Sequence, residues 1–313
     1  MLEGKKILMT GCSGFFGKNI FYHAPYLAER NKITLLSRNP EKLLSFFPDL
    51  GKNKNLSFLS CDIREFSCKE YDYDLIIHGA ASFGRDVTER DTYDIIRKGT
   101  ENILSFAKKN PRLEKLLFVS SGAVYGRRLT EIQSEDMPLK PCEPYGMGKK
   151  EAEEMCILSG VPCVIARCFA FAGEFMELNT HFAIGNFISD VLHERDIVIK
   201  GDGTAVRSFM YSGDLVKLLL LLAESEIASG RIYNVGSDEA VSIGELAEIT
   251  AQCGEDFSGK IITEKKYVPG TAIDIYVPDI SRIRLELNTP SPLSLEETVR
   301  RTMEFFRSTE TYG

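Results

Sequence analysis

The sequence predicts an α/β protein: a doubly wound parallel sheet with a smaller mixed α/β lobe on its carboxyl-terminal side. Three observations carry this. Short apolar runs alternate with longer helical patterns through the first half of the 313 residues. A glycine-rich turn follows the first of those runs. After about residue 168 the alternation breaks up into short strands with frequent Gly, Asp and Pro. Continuous apolar strands separated by helices imply a sheet covered on both faces, which is the condition of parallel strands.

In chain order, buried strands are expected at 6–10, 33–37, 56–60, 75–78, 115–120 and 163–167. Helices are expected near 15–29, 40–47, 88–109 and 145–159. A dinucleotide-binding domain would span 1–168, with 204–235 returning to it. A substrate lobe would take 169–203 and 236–313, closed by an amphipathic helix from Leu293 to Phe306.

At 43% hydrophobic and 27% charged, the chain is an ordinary globular sequence long enough to bury a large core. Its net charge of −7 argues against a nucleic-acid partner, which calls for a basic stripe. Eight cysteines are scattered without a Cys-x-x-Cys, several in apolar segments such as Cys163 to Cys168. That suits buried thiols in a reducing cytosol, not a disulfide frame or a metal site. The amino terminus runs into an apolar segment too short for a signal peptide. The greasiest run, Leu215 to Ala223, contains Lys217 and is too short to span a bilayer. The expectation is a cytoplasmic protein with no membrane, nucleic-acid or metal partner.

Thr10-Gly11-Cys12-Ser13-Gly14-Phe15-Phe16-Gly17 follows the first strand and opens a helix. Glycines there permit a tight turn and a close backbone approach to a pyrophosphate, which the helix amino terminus then faces. Gly11, Ser13, Gly14, Phe15, Phe16 and Gly17 are therefore candidate cofactor contacts. The second strand ends Leu35-Leu36-Ser37-Arg38, with no acid to bind the ribose hydroxyls of NAD. Ser37 and Arg38 suit the 2′-phosphate of NADP instead, so NADP(H) is favoured, with NAD(H) as the alternative. Asp62 and Ile63, after the third strand, are placed to meet adenine; a strand-end cap is the other reading of Asp62. Further on, Tyr145 and Lys149 lie four apart on one helix face. An ammonium beside a phenol favours its ionised form and lowers it from about 10. Such a phenol exchanges protons with a sugar or alcohol oxygen.

Gly11-x-x-Gly14-x-x-Gly17, His78-Gly79-Ala80-Ala81, Ser120-Ser121-Gly122-Ala123-Val124-Tyr125-Gly126 and Tyr145-x-x-x-Lys149 occur in one order and spacing. In this the chain resembles the extended short-chain dehydrogenases, NAD(P)-dependent nucleotide-sugar epimerases, dehydratases and ketoreductases with a Rossmann-type domain. The likeness continues through Arg167-Cys168-Phe169, Gly201-Asp202-Gly203, Arg207-Ser208-Phe209, Asp214, Pro278-Asp279 and Ser294, nearly the whole chain. The resemblance implies that Ser121 holds the substrate oxygen, Tyr145 is the acid/base and Lys149 also reaches the nicotinamide ribose. It implies that Ala80, Ala81 and Ser82 line the cofactor through their backbone. Asn186 and Arg207 would hold the diphosphate of a nucleotide-diphosphate sugar; a helix cap and an ion pair with Asp202 or Asp214 are their other readings. His78, inside an apolar strand, reads as structural. The family often has Asn where Ile96 and Ala170 stand, and its late arginine is absent near Thr271 to Asp274.

The resemblance also bears on the reaction. A dehydratase of this family places Asp-Glu directly after the Ser/Thr, and Gly122 and Ala123 cannot move a proton. A reductase that also epimerises keeps a cysteine where Ala123 stands. A 4-epimerase and a simple ketoreductase remain. Arg38 tilts the choice to an NADPH-dependent reductase of a nucleotide-linked 4-keto-6-deoxy sugar, with an NAD-dependent nucleotide-sugar 4-epimerase as the alternative. A non-catalytic NADP(H) sensor is a third reading. Family members pair helices 88–109 and 145–159 in a four-helix bundle, so a homodimer is expected. Ile95, Ile96, Ile103, Leu104 and Ala107 would supply that face or pack on the protein's own sheet.

Overall fold

Seven strands form one sheet, in the spatial order Ile232–Val235, Cys163–Cys168, Lys115–Ser121, Leu75–His78, Lys6–Thr10, Lys32–Ser37 and Leu56–Ser60. Every pairing in it is parallel. The computed structural model describes residues 2–68, 71–81, 87–127, 130–178 and 182–310. The chain winds outward from Lys6–Thr10 on one side, then returns to Leu75–His78 on the other. That reversal opens a crevice at the carboxyl ends of those two strands, where ligands bind in doubly wound sheets.

The six expected strands are present to within one residue at each end. The seventh, Ile232–Val235, pairs beside Cys163–Cys168 with Ile232 opposite Ile165. Alternate side chains of a strand point to opposite faces. Ile7, Met9, Leu35, Ile77, Leu117 and Val119 accordingly pack with Ile20 of helix Phe15–His23 and Leu219 of helix Ser212–Glu224. Leu8, Leu36, Ile76, Leu116, Phe118 and Ile165 pack on the other face with helices Glu89–Ala107 and Pro144–Leu158. Each such side chain contributes roughly 1.5–3 kcal/mol by leaving water, so the sheet needs both helical layers.

The helix expected over 15–29 is two helices, Phe15–His23 and Tyr26–Arg30. Pro25 divides them, because its ring and missing N–H break the ladder of the preceding turn. The one expected over 40–47 shrinks to Glu41–Leu44, followed by a 3-10 turn at Pro48–Lys52. Helix Glu89–Ala107 starts where Thr88 accepts the Asp91 N–H at 3.1 Å. Ile95, Ile96, Ile103, Leu104 and Ala107 form its apolar stripe and are buried in the protein's own core. They therefore supply no face for a second copy.

Beyond the main sheet, Ile184, Phe187, Ile188, Ile197, Leu246 and Val299 build a separate core under helix Leu295–Glu310. A small sheet there pairs Val206–Arg207 with Val241–Ser242 and Ile275–Tyr276. Among the described residues, no helix is long and apolar enough to cross a membrane, and no group of three or more His, Cys, Asp or Glu is arranged to hold a metal.

Candidate active site

At the sheet reversal, Gly11 has φ +76°, and a Cβ on it would lie 2.6 Å from the Gly79 carbonyl oxygen. Only glycine lets the ends of the first and fourth strands come this close. Gly14 then caps helix Phe15–His23 through backbone geometry alone. The first N–H groups of that helix have no side-chain cap at Gly14, which suits an anionic ligand. Ser13 Oγ lies 2.8 Å from Ser37 Oγ, which also accepts the Asn39 N–H at 3.2 Å. The turn is thus tied to the end of the second strand, where Arg38 is exposed. These residues fit a dinucleotide: small at the close approach, with backbone donors at the helix start and hydroxyls beside it.

Asp62 is the strand-end cap. Its Oδ1 accepts the Arg64 N–H at 2.9 Å and its Oδ2 pairs with the Arg64 guanidinium at 2.8 Å. Those bonds, against burial and with help from Arg38, hold its carboxyl below the usual range. Ile63 is buried in the core layer beneath helix Glu89–Ala107. Ala80 and Ala81 pack on that layer too, and Ser82 lies outside the described residues.

His78 belongs to a relay whose proton positions can be derived. The Ala80 N–H donates to Thr10 Oγ1 at 3.2 Å, and Thr10 Oγ1 lies 2.7 Å from His78 Nδ1. Across the ring, Nε2 lies 3.1 Å from Thr100 Oγ1, which donates to the Ile96 carbonyl at 2.7 Å. With its one proton committed to Ile96, the Thr100 hydroxyl accepts from Nε2–H. Nδ1 is then the acceptor for the Thr10 hydroxyl. Burial, and then Lys149, push the imidazole down to about 3, so it stays neutral. His78 is structural, as its sequence context implied, and it fixes the Ala80 backbone at the crevice.

Ser121 ends its strand 7% exposed, and its Oγ accepts the Ala123 N–H at 3.2 Å. The Ser121 side chain acts on the hydroxyls of both Tyr145 and Tyr276, holding each down against the effect of burial. Pro144 opens helix Pro144–Leu158 at a position that needs no N–H, putting Tyr145 in its first turn. Lys149 follows one turn later, 2% exposed, donating from Nζ to the Val119 carbonyl at 2.5 Å. Its ammonium is 5.9 Å from the centre of the Tyr145 ring. The lowered phenol expected from this pair is not found. Burial pushes Tyr145 up to about 12, with the Ser121 hydrogen bond opposing. Burial also lowers Lys149 to about 8, and its proton is directed at a carbonyl, not at the phenol.

Tyr276 was not legible as a site residue. No local pattern marks it, because its position is set by Gln133, far away in the chain. The Gln133 side chain accepts the Val277 N–H at 3.0 Å and donates to the Ile275 carbonyl at 3.1 Å. Its backbone carbonyl accepts from Asn234 at 2.9 Å. Asn234 accepts from Tyr125 at 2.7 Å, Tyr125 accepts from Arg167 at 3.0 Å, and Arg167 pairs with Glu153 at 2.8 Å. Glu153 is on the same helix as Tyr145, so one buried polar network spans from the helix to the strand that carries Tyr276. Tyr276 also explains Gly122: a Cβ there would lie 2.6 Å from the Tyr276 hydroxyl and 3.0 Å from the Phe169 ring.

Beside these hydroxyls opens a cavity of about 460 Å³ lined by Ala123, Gly126, Arg127, Arg207, Asp274 and Tyr276. Arg207 pairs with Asp274 at 2.7 Å. The partners weighed from sequence are engaged elsewhere: Asp202 accepts from Thr204, and Asp214 from Lys217 and Leu293. Asn186 lies half-buried inside helix Ala183–Leu192, whose N-cap is Phe182, so it does not cap that helix.

With that geometry in place, the profile of the NAD dependent epimerase/dehydratase family matches residues 7–236. The chain belongs to this family. A relative in Methanocaldococcus jannaschii described as a putative UDP-glucose 4-epimerase is 30% identical, over 96% of this chain and 98% of that protein. The UDP-N-acetyl-alpha-D-glucosaminuronate decarboxylase of Bacillus cytotoxicus is 27% identical over 98% of this chain and 99% of its own length. Among solved structures, the UDP-N-acetylglucosamine 4-epimerase of Methanobrevibacter ruminantium superposes with a TM-score of 0.83 at 25% identity, over 98% of this chain and all of that one. This epimerase/dehydratase family member is therefore an enzyme, with the NAD-dependent chemistry of its family.

Proposed function

We propose that the enzyme epimerises C4 of a nucleotide-diphosphate sugar, with NAD on the glycine turn and the sugar nucleotide held by the lobe of residues 169–203 and 236–313. One observation carries the reading. Ser121 acts directly on the Tyr145 hydroxyl, while Gly122 and Ala123 beside them bring no second acid or base, and the Tyr276 hydroxyl lies 2.6 Å from where a Cβ at 122 would stand. An elimination needs that second pair; removal and return of a hydride at C4 does not. The dinucleotide, when bound, takes up and gives back that hydride. Tyr145, in its ionised form, takes the C4 hydroxyl proton and later returns it; with burial holding the phenol up to about 12, only the ionised fraction can do so. Ser121, fixed by the Ala123 N–H, holds the same oxygen on both passes. Lys149, anchored on the Val119 carbonyl, would reach the ribose of the bound dinucleotide. Gly11, Ser13, Gly14, Phe15, Phe16 and Gly17 would contact the cofactor, with Ala80 and Ala81 along its phosphates. Asn186 and Arg207 would meet the substrate diphosphate.

A second reading, NADPH-dependent reduction of a 4-keto-6-deoxy sugar, is favoured by one observation: Arg38 stands exposed beside Ser37, where a 2′-phosphate would sit. Both readings belong in the cytoplasm, whose reducing poise suits eight free cysteines. One experiment separates them. The enzyme is incubated with UDP-glucose, UDP-N-acetylglucosamine or a nucleotide-linked 4-keto-6-deoxy sugar, with NAD or NADPH, and followed by proton NMR and absorbance at 340 nm. Epimer formation with no net change in absorbance is expected, and Tyr145→Phe should lower the rate at least about a hundredfold. Consumption of NADPH with a 4-keto sugar, and no epimer, would replace this reading by the reductase.

A further inference from the structure

The Arg207 guanidinium is held in an unusual way. Its Nη1 donates to the Val206 carbonyl at 2.8 Å and to the Asp274 carbonyl at 3.0 Å, and its Nη2 donates to Asp274 Oδ2 at 2.7 Å. Among the described residues, these bonds take three of the five N–H groups of an arginine. The two left over, on Nε and Nη2, lie side by side on the opposite edge, a spacing that matches two oxygens of one phosphate. Asp274 therefore does two things: it fixes the plane of the guanidinium, and it cancels the charge.

The small sheet sets the scale. Tyr276 is opposite Arg207 and Ile275 opposite Val206. Asp274 and Tyr276 are two residues apart on one extended segment, so they share a face, about 7 Å apart along the backbone. One end of that segment is at Arg207 and the other reaches Ser121 and Tyr145 through the Tyr276 hydroxyl. An anion on Arg207 would thus sit in the cavity that Tyr276 and Ala123 also line, where a sugar-linked phosphate would lie when the sugar meets Ser121.

Resting on the nucleotide-sugar reading above, we propose that Asp274 is a specificity-determining residue. It presents Arg207 as a neutralised, single-edged clamp that selects the sugar-linked phosphate by shape and disfavours additional negative charge. Arg207 alone would attract any polyanion. Paired with Asp274, it rewards only a phosphate that meets its open edge, and the carboxylate repels charge beyond that.

The test uses the NAD-loaded protein and calorimetric binding of UDP and UMP, the second lacking the terminal phosphate. Asp274→Asn retains an oxygen acceptor for Nη2 and removes the charge. UDP should bind about tenfold tighter to this variant, with a steeper dependence on salt, and UMP should change by under about twofold. Arg207→Lys, which has no second edge to offer, should weaken UDP about tenfold or more. UDP binding left unchanged or weakened by Asp274→Asn would overturn the inference while leaving the nucleotide-sugar reading standing. No UDP binding by either protein would overturn that reading and the inference with it.

Discussion

Lys149 is held at odds with its own stability. An ordinary lysine keeps its proton to 10.5, and this one gives it up at about 8. At about 1.4 kcal/mol per pH unit, the folded ammonium is disfavoured by roughly 3 kcal/mol at neutral pH. The unfolded chain holds more protons between pH 8 and 10.5, so this group's contribution to stability rises with pH across that window. Below pH 8 the penalty is fully present. Lys149→Met removes it and bares the Val119 carbonyl, which costs about 1–3 kcal/mol in return. The expected result is loss of turnover with a melting temperature equal to or above that of the unsubstituted enzyme at pH 7, read by calorimetry and the epimerase assay. A large drop in melting temperature would mean that the ammonium is a net stabiliser. His78 is the opposite case: an ionisable ring kept neutral, whose bonds to Thr10 and Thr100 hold the crevice without entering the chemistry.

Among elements, the join between helix Phe15–His23 and the segment Met210–Glu224 rests on Glu174. Its carboxylate accepts from His23 at 2.9 Å, from Tyr211 at 2.6 Å and from Ser212. It therefore links helix Phe15–His23 to strand Met210–Tyr211 and helix Ser212–Glu224. Burial acts to raise its pKa, but the three bonds together hold it down to about 2. That contribution is fully present above the unfolded value of about 4.5 and is lost as pH falls through 2. Glu174→Gln should destabilise by roughly 2–3 kcal/mol at pH 7 in urea titrations, and the gap should narrow as pH falls below 4. A gap independent of pH would show that the carboxylate acts by shape alone. Glu174 was invisible in the sequence for the reason that Tyr276 and Asp274 were. All three are placed by contacts across long stretches of chain, with no spacing to betray them. The strands, by contrast, were legible because burial on both faces leaves an unbroken apolar run in the sequence. The division at Pro25 was equally readable from the residue itself, yet the apolar periodicity on either side masked it. Ser121, Tyr145 and Lys149 were legible as a set only through the resemblance. The phenol's raised pKa was not, because it depends on how much of the ring is buried.

For the molecule as a whole, the surface that decides assembly is the helix pair Glu89–Ala107 and Pro144–Leu158. Its apolar stripe is spent on the sheet, and its outer surface carries pairs such as Arg97 with Glu151. Met147 and Leu158, three helical turns apart on one face, remain 43% and 84% exposed. We propose that they seat a second copy across a two-fold axis, with the charged pairs at the rim. Sedimentation velocity should show a dimer, and Leu158→Glu should shift it to monomer with the fold intact by circular dichroism. A monomer before substitution would remove the homodimer from the account.

The contact between Tyr276 and Gly122 constrains how this cleft can change over evolutionary time. Any side chain introduced at position 122 meets the phenol at 2.6 Å, so the ring must shift before such a mutant is accommodated. Trimming residue 276 removes one of two close contacts; the Phe169 ring at 3.0 Å remains. An acidic newcomer beside Ser121 therefore needs room from both rings, so the order in which positions 276, 169 and 122 change decides whether it can be accommodated.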